Sequence, residues 1–460
     1  MLITAAIDAK LAEICGAEHV LQDPSECWVY GYDNSRRHAL PERVVFPDQH
    51  EQVVAIVRVC AEHQIPLVAR GRGTGTTGAT TPTAGGIVLS TERMNRIIKV
   101  DSDDRLMIVE PGVTNQHVQD EAAKVGFFWP PDPTSAAFCS IGGNLAYNSA
   151  GPRAVKYGTC RENVLGLRAV TGRGKELRTG VHTTKGVVGY DLTRLLIGSE
   201  GTLAIITEAT LKLTPLPETK RTMRATYRDV RAATAAIVRV MAQPVTPCAL
   251  EFMDGRAINM IRKHTNVELP TDAGALLIIE VDGLHTEIDA IAQLTATAAR
   301  NSGLMELTIA NTPTAVKELW ETRKALSPAL RNVAPKKINE DVVVPVSRLP
   351  ELIDGLANLA KLHDITIVNF GHAGNGNIHV NLLVNPDDSA EMGRAQKCLA
   401  DTFTLVLKLQ GTLSGEHGIG LEKRDFIAQE LSSEALAVMR EIKQVFDPNN
   451  ILNPGKLLPP

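Results

Sequence analysis

Aromatic residues are scarce in this chain, and neither sign of charge dominates. Phe, Trp and Tyr together make up 4% of the 460 residues, and 48 Lys and Arg stand against 52 Asp and Glu. A surface that binds nucleic acid needs a basic stripe and, for single strands, aromatic side chains on which bases stack. The composition therefore argues against a nucleic-acid partner.

Long apolar runs are also missing. No segment reaches the roughly 18 consecutive apolar residues that a membrane-spanning helix needs. The first twenty residues mix acidic side chains into an amphipathic pattern, which predicts a first helix of the mature protein and not a signal peptide. We expect a cytoplasmic protein without a transmembrane segment. Peripheral contact with a membrane stays open, although no basic amphipathic segment indicates it.

Cysteine provides no structural framework. The chain has seven cysteines, an odd number, and none of them forms a Cys-x-x-Cys pair. This pattern argues against a disulfide scaffold, a zinc ribbon and an iron–sulfur cluster of ordinary spacing. If the protein transfers electrons, an organic cofactor must carry them and an outside acceptor must take them.

A glycine-rich loop follows a predicted strand–helix–strand unit at residues 42–70. Residues 73–78 match Gly-x-Gly-x-x-Gly, the dinucleotide-binding fingerprint, which requires a helix directly after it. Pro82 and the pair Gly85-Gly86 prevent that helix, and residues 86–90 are typical of another strand. The loop therefore predicts a nest of backbone amides for an anion, without a Rossmann helix; a glycine-rich hairpin without a ligand is the alternative. Its candidate ligand-binding residues are Arg70, Gly71, Arg72, Gly73, Thr74, Gly75, Thr76 and Gly78.

Two more glycine-rich stretches lie at residues 131–151 and 198–207. Glycine lets the main chain approach a ligand closely, and short polar side chains beside it offer hydrogen bonds. Three such stretches, separated by predicted strands, suit a long, extended ligand in a crevice. The candidates are Pro131, Asp132, Cys139, Ser140, Gly142, Gly143, Asn144, Asn148 and Gly151 in the second stretch, and Glu200, Gly201, Ile205 and Ile206 in the third.

Three of the twelve histidines lie in two short segments, 371–379 and 414–420. His372, His379 and Glu416 offer two imidazoles and one carboxylate, a ligand set for a divalent metal with open positions for substrate. Zinc is the expected ion, and the set also accommodates manganese or iron(II). His417, next to Glu416, is a candidate base. The alternative is two tight turns whose histidines hydrogen-bond to the backbone.

Beyond residue 217 the predicted strands and helices alternate. The pattern indicates an antiparallel sheet with helices on one face, an α+β layer resembling a ferredoxin-like fold. Asn381 lies two residues beyond His379, so in a strand both side chains share one face and the amide is a candidate substrate contact. An ordinary polar residue beside a turn is the alternative reading of Asn381.

A predicted helix at 314–330 carries Arg323, with Ser327 four residues later. The planar guanidinium of an arginine suits a carboxylate, although a solvent-exposed helix face is the alternative. Lys336 and Lys337 are expected to precede the next strand, which begins at Glu340.

The motifs of the first half are similar to those of a known superfamily. RGRGTGTTG (70–78), PDPTS with SIGGNLAYNSAG (131–151) and GSEGTLAIITEATLKL (198–213) resemble, in order and spacing, the FAD-binding domain of the vanillyl-alcohol oxidase flavoproteins. The resemblance implies FAD as the extended ligand. Some members link the flavin to a histidine in the first loop. This chain has Thr74, Thr76 and Thr77 there, so the resemblance implies non-covalent FAD.

The second half completes the resemblance. GHAGNGNIHVN (371–381), SGEHGIGLEKR (414–424) and FDPNNILNPGKLL (446–458) resemble the D-2-hydroxyacid dehydrogenases, which include D-lactate dehydrogenase, the D-2-hydroxyglutarate enzyme and the glycolate oxidase large subunit. The resemblance implies a metal on His372, His379 and Glu416, a base at His417, substrate contacts from Arg323 and Asn381, and Asn453 near the cofactor.

These features together predict an α+β protein of three segments. We expect a FAD-binding domain of the vanillyl-alcohol oxidase type at 1–217 and a ferredoxin-like α+β cap for substrate and metal at 218–424. A C-terminal segment at 425–460 is expected to return to the FAD domain.

The expected reaction is oxidation of a D-2-hydroxy acid to its 2-keto acid. Members that act on hydroxyglutarate carry Lys-Tyr-Asp before the Val-Pro strand, where this chain has Asn339-Glu-Asp341, so the sequence favours D-lactate. A D-2-hydroxyglutarate dehydrogenase and the FAD subunit of a glycolate oxidase are the alternatives. A quinone, a cytochrome or an electron-transferring flavoprotein is the expected acceptor, and a homodimer is the default assembly. A zinc hydrolase and a non-catalytic flavin-binding or assembly protein are the rival classes.

Overall fold

The computed structural model describes residues 3–262, 269–310, 312–324, 326, 330 and 334–459. The chain forms two compact units. The first comprises Met1–Gly151, Gly158–Leu216 and Glu416–Pro460, and the second comprises Pro152–Tyr157 and Pro217–Gly415. The chain thus returns to the first unit at Glu416, earlier than residue 425, because the backbone N–H groups of Ile419, Gly420 and Leu421 bond to residues of that unit.

In its described residues, the first unit contains a small, mostly parallel sheet. Its order is β1 (Val20–Leu21), β2 (Arg43–Val45), β4 (Ile87–Ser90) and β3 (Leu67–Arg70), with β2, β4 and β3 parallel. As predicted, no helix follows the glycine loop, and the chain runs from β3 to β4 through turns. The first helix is also confirmed: α1 (Ala5–Cys15) begins where the Thr4 side chain accepts a hydrogen bond from the Ile7 N–H.

An antiparallel sheet forms the rest of the described core of the first unit. Its order is β5 (Ile97–Asp101), β6 (Leu106–Val109), β10 (Ala204–Lys212), β8 (Val164–Thr171) and β9 (Glu176–Gly180), and β7 (Phe127–Phe128) pairs with β11 (Thr214–Pro215). The further helices are α2 (Pro24–Cys27), α3 (His50–His63), α4 (Asn115–Lys124), α5 (Ile141–Tyr147), α7 (Leu192–Leu196), α14 (Ile427–Glu430) and α15 (Ser433–Phe446).

The second unit is built on an antiparallel sheet of seven strands within the described part of the chain. Its order is β15 (Leu304–Ala310), β12 (Thr219–Tyr227), β14 (Ala275–Gly283), β13 (Ala249–Asp254), β17 (Thr366–His372), β18 (Asn377–Val384) and β16 (Lys336–Val343). Its helices are α6 (Ala154–Tyr157), α8 (Val230–Ala242), α9 (Gly255–Arg262), α10 (Ile288–Ala299), α11 (Pro313–Lys324), α12 (Leu349–His363) and α13 (Ser389–Lys408).

The first four strands of this sheet confirm the ferredoxin-like prediction. The chain order is β12–α8–β13–α9–β14–α10–β15. Apart from the additional short helix α9, this order and the spatial order β15-β12-β14-β13 are those of a split β-α-β motif. Strands β17, β18 and β16 then extend the sheet. One prediction was wrong in detail, because Lys336 and Lys337 lie inside β16, which pairs with β18 along its whole length. Ser327 lies outside the described residues.

The two faces of the seven-stranded sheet differ in chemistry. Side chains alternate along a strand, and residues paired across neighbouring strands share a face. One face carries apolar side chains such as Met223, Ala225 and Tyr227, all fully buried, and the Tyr227 hydroxyl donates to the carbonyl of Ala299 at the end of α10. The opposite face carries a set of polar side chains: Arg224, Glu251, Glu280, Asp341, His372, His379 and Asn381.

The described residues also bear on membrane spanning and on disulfide formation. Within the described ranges, no helix combines the length and the apolar character needed to cross a bilayer. All seven cysteines fall in these ranges and are buried free thiols, as their spacing predicts.

Candidate functional site

A cavity in the first unit lies at the carboxyl ends of the parallel strands β3 and β4. The space between its atoms is about 610 Å³, a volume that includes space open to solvent. Ligands of open α/β sheets bind at this edge. The lining residues are Ala69, Arg70, Gly71, Ala79, Thr80, Thr91, Pro111, Gly142, Gly143, Ala146, Tyr147, Ser199, Glu200, Gly201, Ala204, Ile205, Ile206 and Asn453.

The second glycine stretch contributes the first turn of a helix to this cavity, which the sequence reading did not include. Ser140 is the N-cap of α5, and its hydroxyl accepts a hydrogen bond from the Gly143 N–H. A Cβ placed on Gly143 would meet only this hydroxyl, at 3.4 Å, whereas one on Gly142 would lie 2.6 Å from Cβ of Pro111. Gly143 therefore leaves space for a ligand, and Gly142 allows α5 to pack.

The third stretch forms a turn around Glu200, a residue with a φ of 53°. The carboxylate of Glu200 is buried and accepts the N–H groups of Ile419 (2.6 Å) and Gly420 (2.8 Å), while its carbonyl accepts the amide of Asn453 (2.7 Å). Burial raises the pKa of Glu200 to about 7, against these two donors and two nearby lysines. Glu200 thus ties the segment after Glu416 and the C-terminal segment to the cavity wall.

Several predicted cofactor residues lie beside the cavity instead of lining it. Gly75 packs under Tyr147, where a Cβ would lie 2.6 Å from the tyrosine oxygen, and Arg72 pairs with Glu92 at 3.5 Å. The Asn148 side chain accepts from Thr159 and from the Arg161 N–H. The predicted residues that do not line the cavity are Arg72, Gly73, Thr74, Gly75, Thr76, Gly78, Pro131, Asp132, Cys139, Ser140, Asn144, Asn148 and Gly151.

The sequence reading missed some residues of the lining. Tyr147 follows Gly143 by four positions and therefore lies on the same side of α5, so helical spacing could have identified it. Thr91 directly follows β4, at the edge where Gly71 follows β3. Recognising two neighbouring parallel strands would have placed Thr91 there. Pro111 carries no sequence signal for this position.

In the second unit, the loop between β17 and β18 brings two predicted ligands together. His372 ends β17, Gly376 turns the chain with a φ of 75°, and His379 lies in β18. The two imidazole rings are perpendicular, with centroids 5.2 Å apart. Both side chains are buried. The short distance between the rings shows that the two histidines converge, as predicted.

Glu251 in β13 joins this pair, and the sequence reading missed it. Glu251 pairs directly with His372 across the sheet, accepts a hydrogen bond from His372 Nδ1 (2.5 Å) and accepts another from Arg323 Nε (2.7 Å). Burial raises the pKa of Glu251, but its electrostatic interactions and hydrogen bonds with His372 and Arg323 bring it down to about 2. An acidic residue with apolar neighbours on both sides in CALEFMD (248–254) was the available signal, since carboxylates are almost never fully buried unless they are paired.

Arg323 reaches the polar face of the sheet from α11. Its guanidinium carbon lies 4.7 Å from the ring centroid of Phe370, and Phe370 contacts His379 with ring centroids 5.7 Å apart. One turn earlier, Trp320 donates to Glu280 at 3.0 Å. Two carboxylates on neighbouring strands therefore hold one side of α11 against the sheet, and this docking places Arg323 beside the histidines.

Asn381 and Asn339 lie opposite each other on β18 and β16. The Asn381 amide nitrogen donates to the carbonyls of Val368 (3.2 Å) and His379 (3.1 Å), which sets the orientation of the amide. Its buried oxygen, like that of Asn339, has no hydrogen-bond partner among the described residues. Because an unsatisfied buried acceptor is costly, these oxygens suit a donor from a ligand.

Asp341 holds the start of the segment 414–420 in place. It pairs with His379 across β16 and β18, and its carboxylate accepts from the Ser414 hydroxyl (3.1 Å) and the Gly415 N–H (2.9 Å). Glu416 is bonded to Gly415, so its position follows from this anchor. His372 and His379 thus lie together in the second unit, and Glu416 follows Gly415 directly in the chain.

His417 begins the segment that lies along the first glycine loop. The Thr77 hydroxyl donates to the His417 carbonyl at 3.4 Å, and the Leu421 N–H donates to the Thr77 carbonyl at 2.8 Å. Glu200 accepts the N–H groups of Ile419 and Gly420, so the backbone N–H groups are held at three successive positions, 419–421. His417 is half-buried.

Comparison with known proteins assigns the family. The chain belongs to the FAD-linked oxidases, since the family described as "FAD linked oxidases, C-terminal domain" matches residues 216–457 and the family described as "FAD binding domain" matches residues 41–180. The glycolate oxidase subunit GlcD of Bacillus subtilis is 36% identical over 99% of this chain and 97% of its own length. A D-lactate dehydrogenase of Anaerostipes hadrus is 33% identical over 91% of this chain and 90% of its own length.

Solved structures agree on the fold. The 4-ethylphenol oxidase of Gulosibacter chungangensis superposes with a TM-score of 0.79 at 19% identity, covering 99% of this chain and 97% of that protein. The predicted fold of the vanillyl-alcohol oxidase type is thereby confirmed, and the FAD-binding assignment of the first unit is confirmed by the family match. The cavity fits such a cofactor because backbone and small residues dominate its wall and Gly143 leaves space in front of α5. The FAD-linked oxidase family favours flavin chemistry over the zinc hydrolase alternative.

Proposed function

We propose that this protein is a FAD-dependent, metal-assisted dehydrogenase that oxidises a short D-2-hydroxy acid, D-lactate in the first place, to its 2-keto acid. The observation that carries this proposal is the convergence of His372 and His379, whose ring centroids lie 5.2 Å apart in the second unit, in a family whose relatives include a glycolate oxidase subunit and a D-lactate dehydrogenase.

The cofactor is proposed to be non-covalent. The loop at 70–78 has threonines where a histidine would be needed for a covalent link, and the chain has no histidine between His63 and His117. FAD held in the cavity would supply an acceptor for the hydride that leaves C2 of the hydroxy acid. The predicted contacts that line the cavity remain the strongest candidates for holding it: Arg70, Gly71, Gly142, Gly143, Glu200, Gly201, Ile205, Ile206 and Asn453.

His372, His379 and Glu416 are proposed to hold a divalent ion, zinc first, with manganese and iron(II) as alternatives. Two imidazoles and one carboxylate leave positions open for a substrate. A divalent ion at such a site acidifies a bound hydroxyl group, as it does for water.

Three side chains of this protein are proposed to act on the substrate. Arg323 attracts the substrate carboxylate and orients it through a charge-assisted contact. Asn381, on the same face of the sheet as His379, is a further contact for the substrate. His417, half-buried on a backbone segment held by Glu200 and Thr77, takes the proton of the 2-hydroxyl as a general base.

The residues around Asn339 bear on the length of the substrate. Asn339 is neutral, and the carboxylate of Asp341 is engaged by Ser414 and Gly415, so neither attracts a second carboxylate. These contacts favour a short acid. Lys337, however, lies on the same face two residues before Asn339, which favours D-2-hydroxyglutarate as the second candidate.

The electrons are proposed to pass to an external acceptor: a quinone, a cytochrome or an electron-transferring flavoprotein. A homodimer is the proposed default assembly. The Bacillus relative is named as a subunit of glycolate oxidase. The FAD subunit of a glycolate oxidase is therefore a further alternative.

Anaerobic bleaching of the flavin absorbance tests the proposal directly. The purified protein is mixed with D- and L-lactate, D- and L-2-hydroxyglutarate, malate and glycolate, before and after chelation. We expect rapid bleaching by D-lactate that disappears on chelation and returns with zinc. Bleaching by D-2-hydroxyglutarate alone would select the second candidate. A yellow protein that no acid bleaches would contradict the reaction class, and flavin that stays attached after denaturation would contradict non-covalent binding.

A further inference from the structure

The polar face of the second unit contains one buried carboxylate that contacts two of the proposed site residues at once. Glu251 is fully buried, and its oxygens accept separately from His372 and Arg323: Oε1 faces His372 Nδ1 at 2.5 Å and Oε2 faces Arg323 Nε at 2.7 Å. A buried carboxylate placed against a guanidinium is ionised and can only accept hydrogen bonds. His372 must therefore donate from Nδ1.

This donation determines which nitrogen of His372 can bind a metal. With the proton on Nδ1, a neutral imidazole carries its lone pair on Nε2. Metal-ligating histidines almost always donate their second nitrogen to a carboxylate or carbonyl, which fixes the ring and raises its basicity. Glu251 and His372 are paired directly across two neighbouring strands, so the sheet holds the two side chains in this orientation.

The second oxygen of Glu251 fixes Arg323. The guanidinium lies between the carboxylate and the face of Phe370, 4.7 Å from the ring centroid, and its side chain is 13% exposed. Because Glu251 engages Nε, the terminal nitrogens are the ones that a substrate carboxylate would meet. One buried carboxylate therefore orients a residue on β17 and a residue on α11.

We propose that Glu251 is a positioning residue that presents Nε2 of His372 to the divalent ion and, through Arg323, sets the orientation of the substrate carboxylate. This inference rests on the proposed function, since it assigns a role towards the same metal and substrate. The second unit offers a matched control in Asp254, a buried carboxylate on the same strand. Asp254 accepts from Asn369 and the Ala257 N–H and contacts none of the proposed site residues.

The test measures metal affinity without turnover. Wild type, Glu251→Gln and Asp254→Asn are stripped by chelation and titrated with zinc against a fluorescent chelator. We expect Glu251→Gln to weaken zinc binding ~10–100-fold, the usual effect of losing such an outer hydrogen bond, and Asp254→Asn to leave it unchanged. At saturating zinc, Glu251→Gln should still show a raised KM for D-lactate, because Arg323 has lost its anchor.

Two outcomes separate this inference from the function on which it rests. Zinc affinity equal to wild type in Glu251→Gln would overturn the role of Glu251 and leave the proposed function intact. A wild-type protein that takes up no zinc would overturn the metal-assisted function and this inference with it. If Glu251→Gln does not fold, ¹⁵N-histidine spectra of the zinc-loaded wild type decide the question. We expect His372 protonated at Nδ1, and coordination through Nδ1 would refute the proposal.

Discussion

The two units of this protein build their sites from different material. In the first unit the cavity wall consists largely of backbone and small residues at strand ends and in one helix turn. In the second unit the site consists of long polar side chains on one face of an antiparallel sheet. A site made of backbone should lose its ligand when a larger side chain is added to it. A site made of side chains should lose its ligand or its activity when one of those side chains is removed.

Adding atoms to the first unit should have the largest effect. Gly143→Leu places a side chain in open space in front of α5, and leucine is a better helix former than glycine by up to about 1 kcal/mol. We expect a folded but colourless protein without turnover. Gly393→Leu is the matched control, since a Cβ there, in α13, meets nothing within 4 Å. A Gly143→Leu protein with wild-type flavin content would show that the cavity is not the cofactor site.

Removing the proposed base, His417, should have the second-largest effect. His417→Ala is expected to keep FAD and zinc and to lower the rate of flavin reduction by D-lactate ~10²–10⁴-fold, the usual contribution of a general base. Stopped-flow absorbance measures this rate, and flavin and zinc contents are the controls. A rate within a few-fold of wild type would remove His417 from the mechanism.

Removing a side chain of the sheet face should affect metal and not flavin. His379→Ala loses one proposed ligand, so zinc affinity should fall further than the ~10–100-fold expected for an outer contact, while flavin content stays unchanged. His363→Ala, which removes a histidine paired with Asp401 at 2.6 Å in the same unit, serves as the control. Equal zinc affinity in both variants would argue against the proposed ligand set.

The smallest effect concerns the pH dependence of stability in the first unit. The folded-state pKa of Glu200 is raised to about 7 from 4.5, so the native protein binds this proton more tightly than the unfolded chain. The contribution of Glu200 to stability is therefore greatest below pH 4.5 and is lost as the pH rises to 7.

The loss is on the order of 3 kcal/mol. Glu200→Gln cannot ionise, so its melting temperature relative to wild type should rise between pH 4.5 and pH 7. Thermal unfolding at several pH values measures this difference. A difference that does not change with pH would contradict a raised pKa at Glu200.

The comparison of the units also explains which parts of the structure could be predicted. The alternation of β12, α8, β13, β14, α10 and β15 was readable because strand and helix periodicities are local. The helix α5 was missed because Gly142 and Gly143 are poor helix formers, and only the Ser140 cap and the packing of Gly142 against Pro111 allow it.

The candidate site residues also divide into those that local sequence patterns predict and those that they do not. His372, His379 and Asn381 were readable because a short loop and a strand bring neighbours in sequence onto one face. Glu251 was missed because its two partners lie 121 and 72 residues away. A pairing of this kind depends on strand order, which local patterns do not contain.

Local sequence patterns were enough to predict the glycine loops, the histidine motifs and the strand–helix alternation, since each depends on residues within a few positions of one another. Contacts between distant segments were needed to place Pro111 in the cavity wall, to join Glu200 to the segment after His417, and to join Glu251 to His372 and Arg323. The physical reason is that a buried carboxylate finds its donors through strand pairing and helix docking, and both are settled only when distant segments pack together.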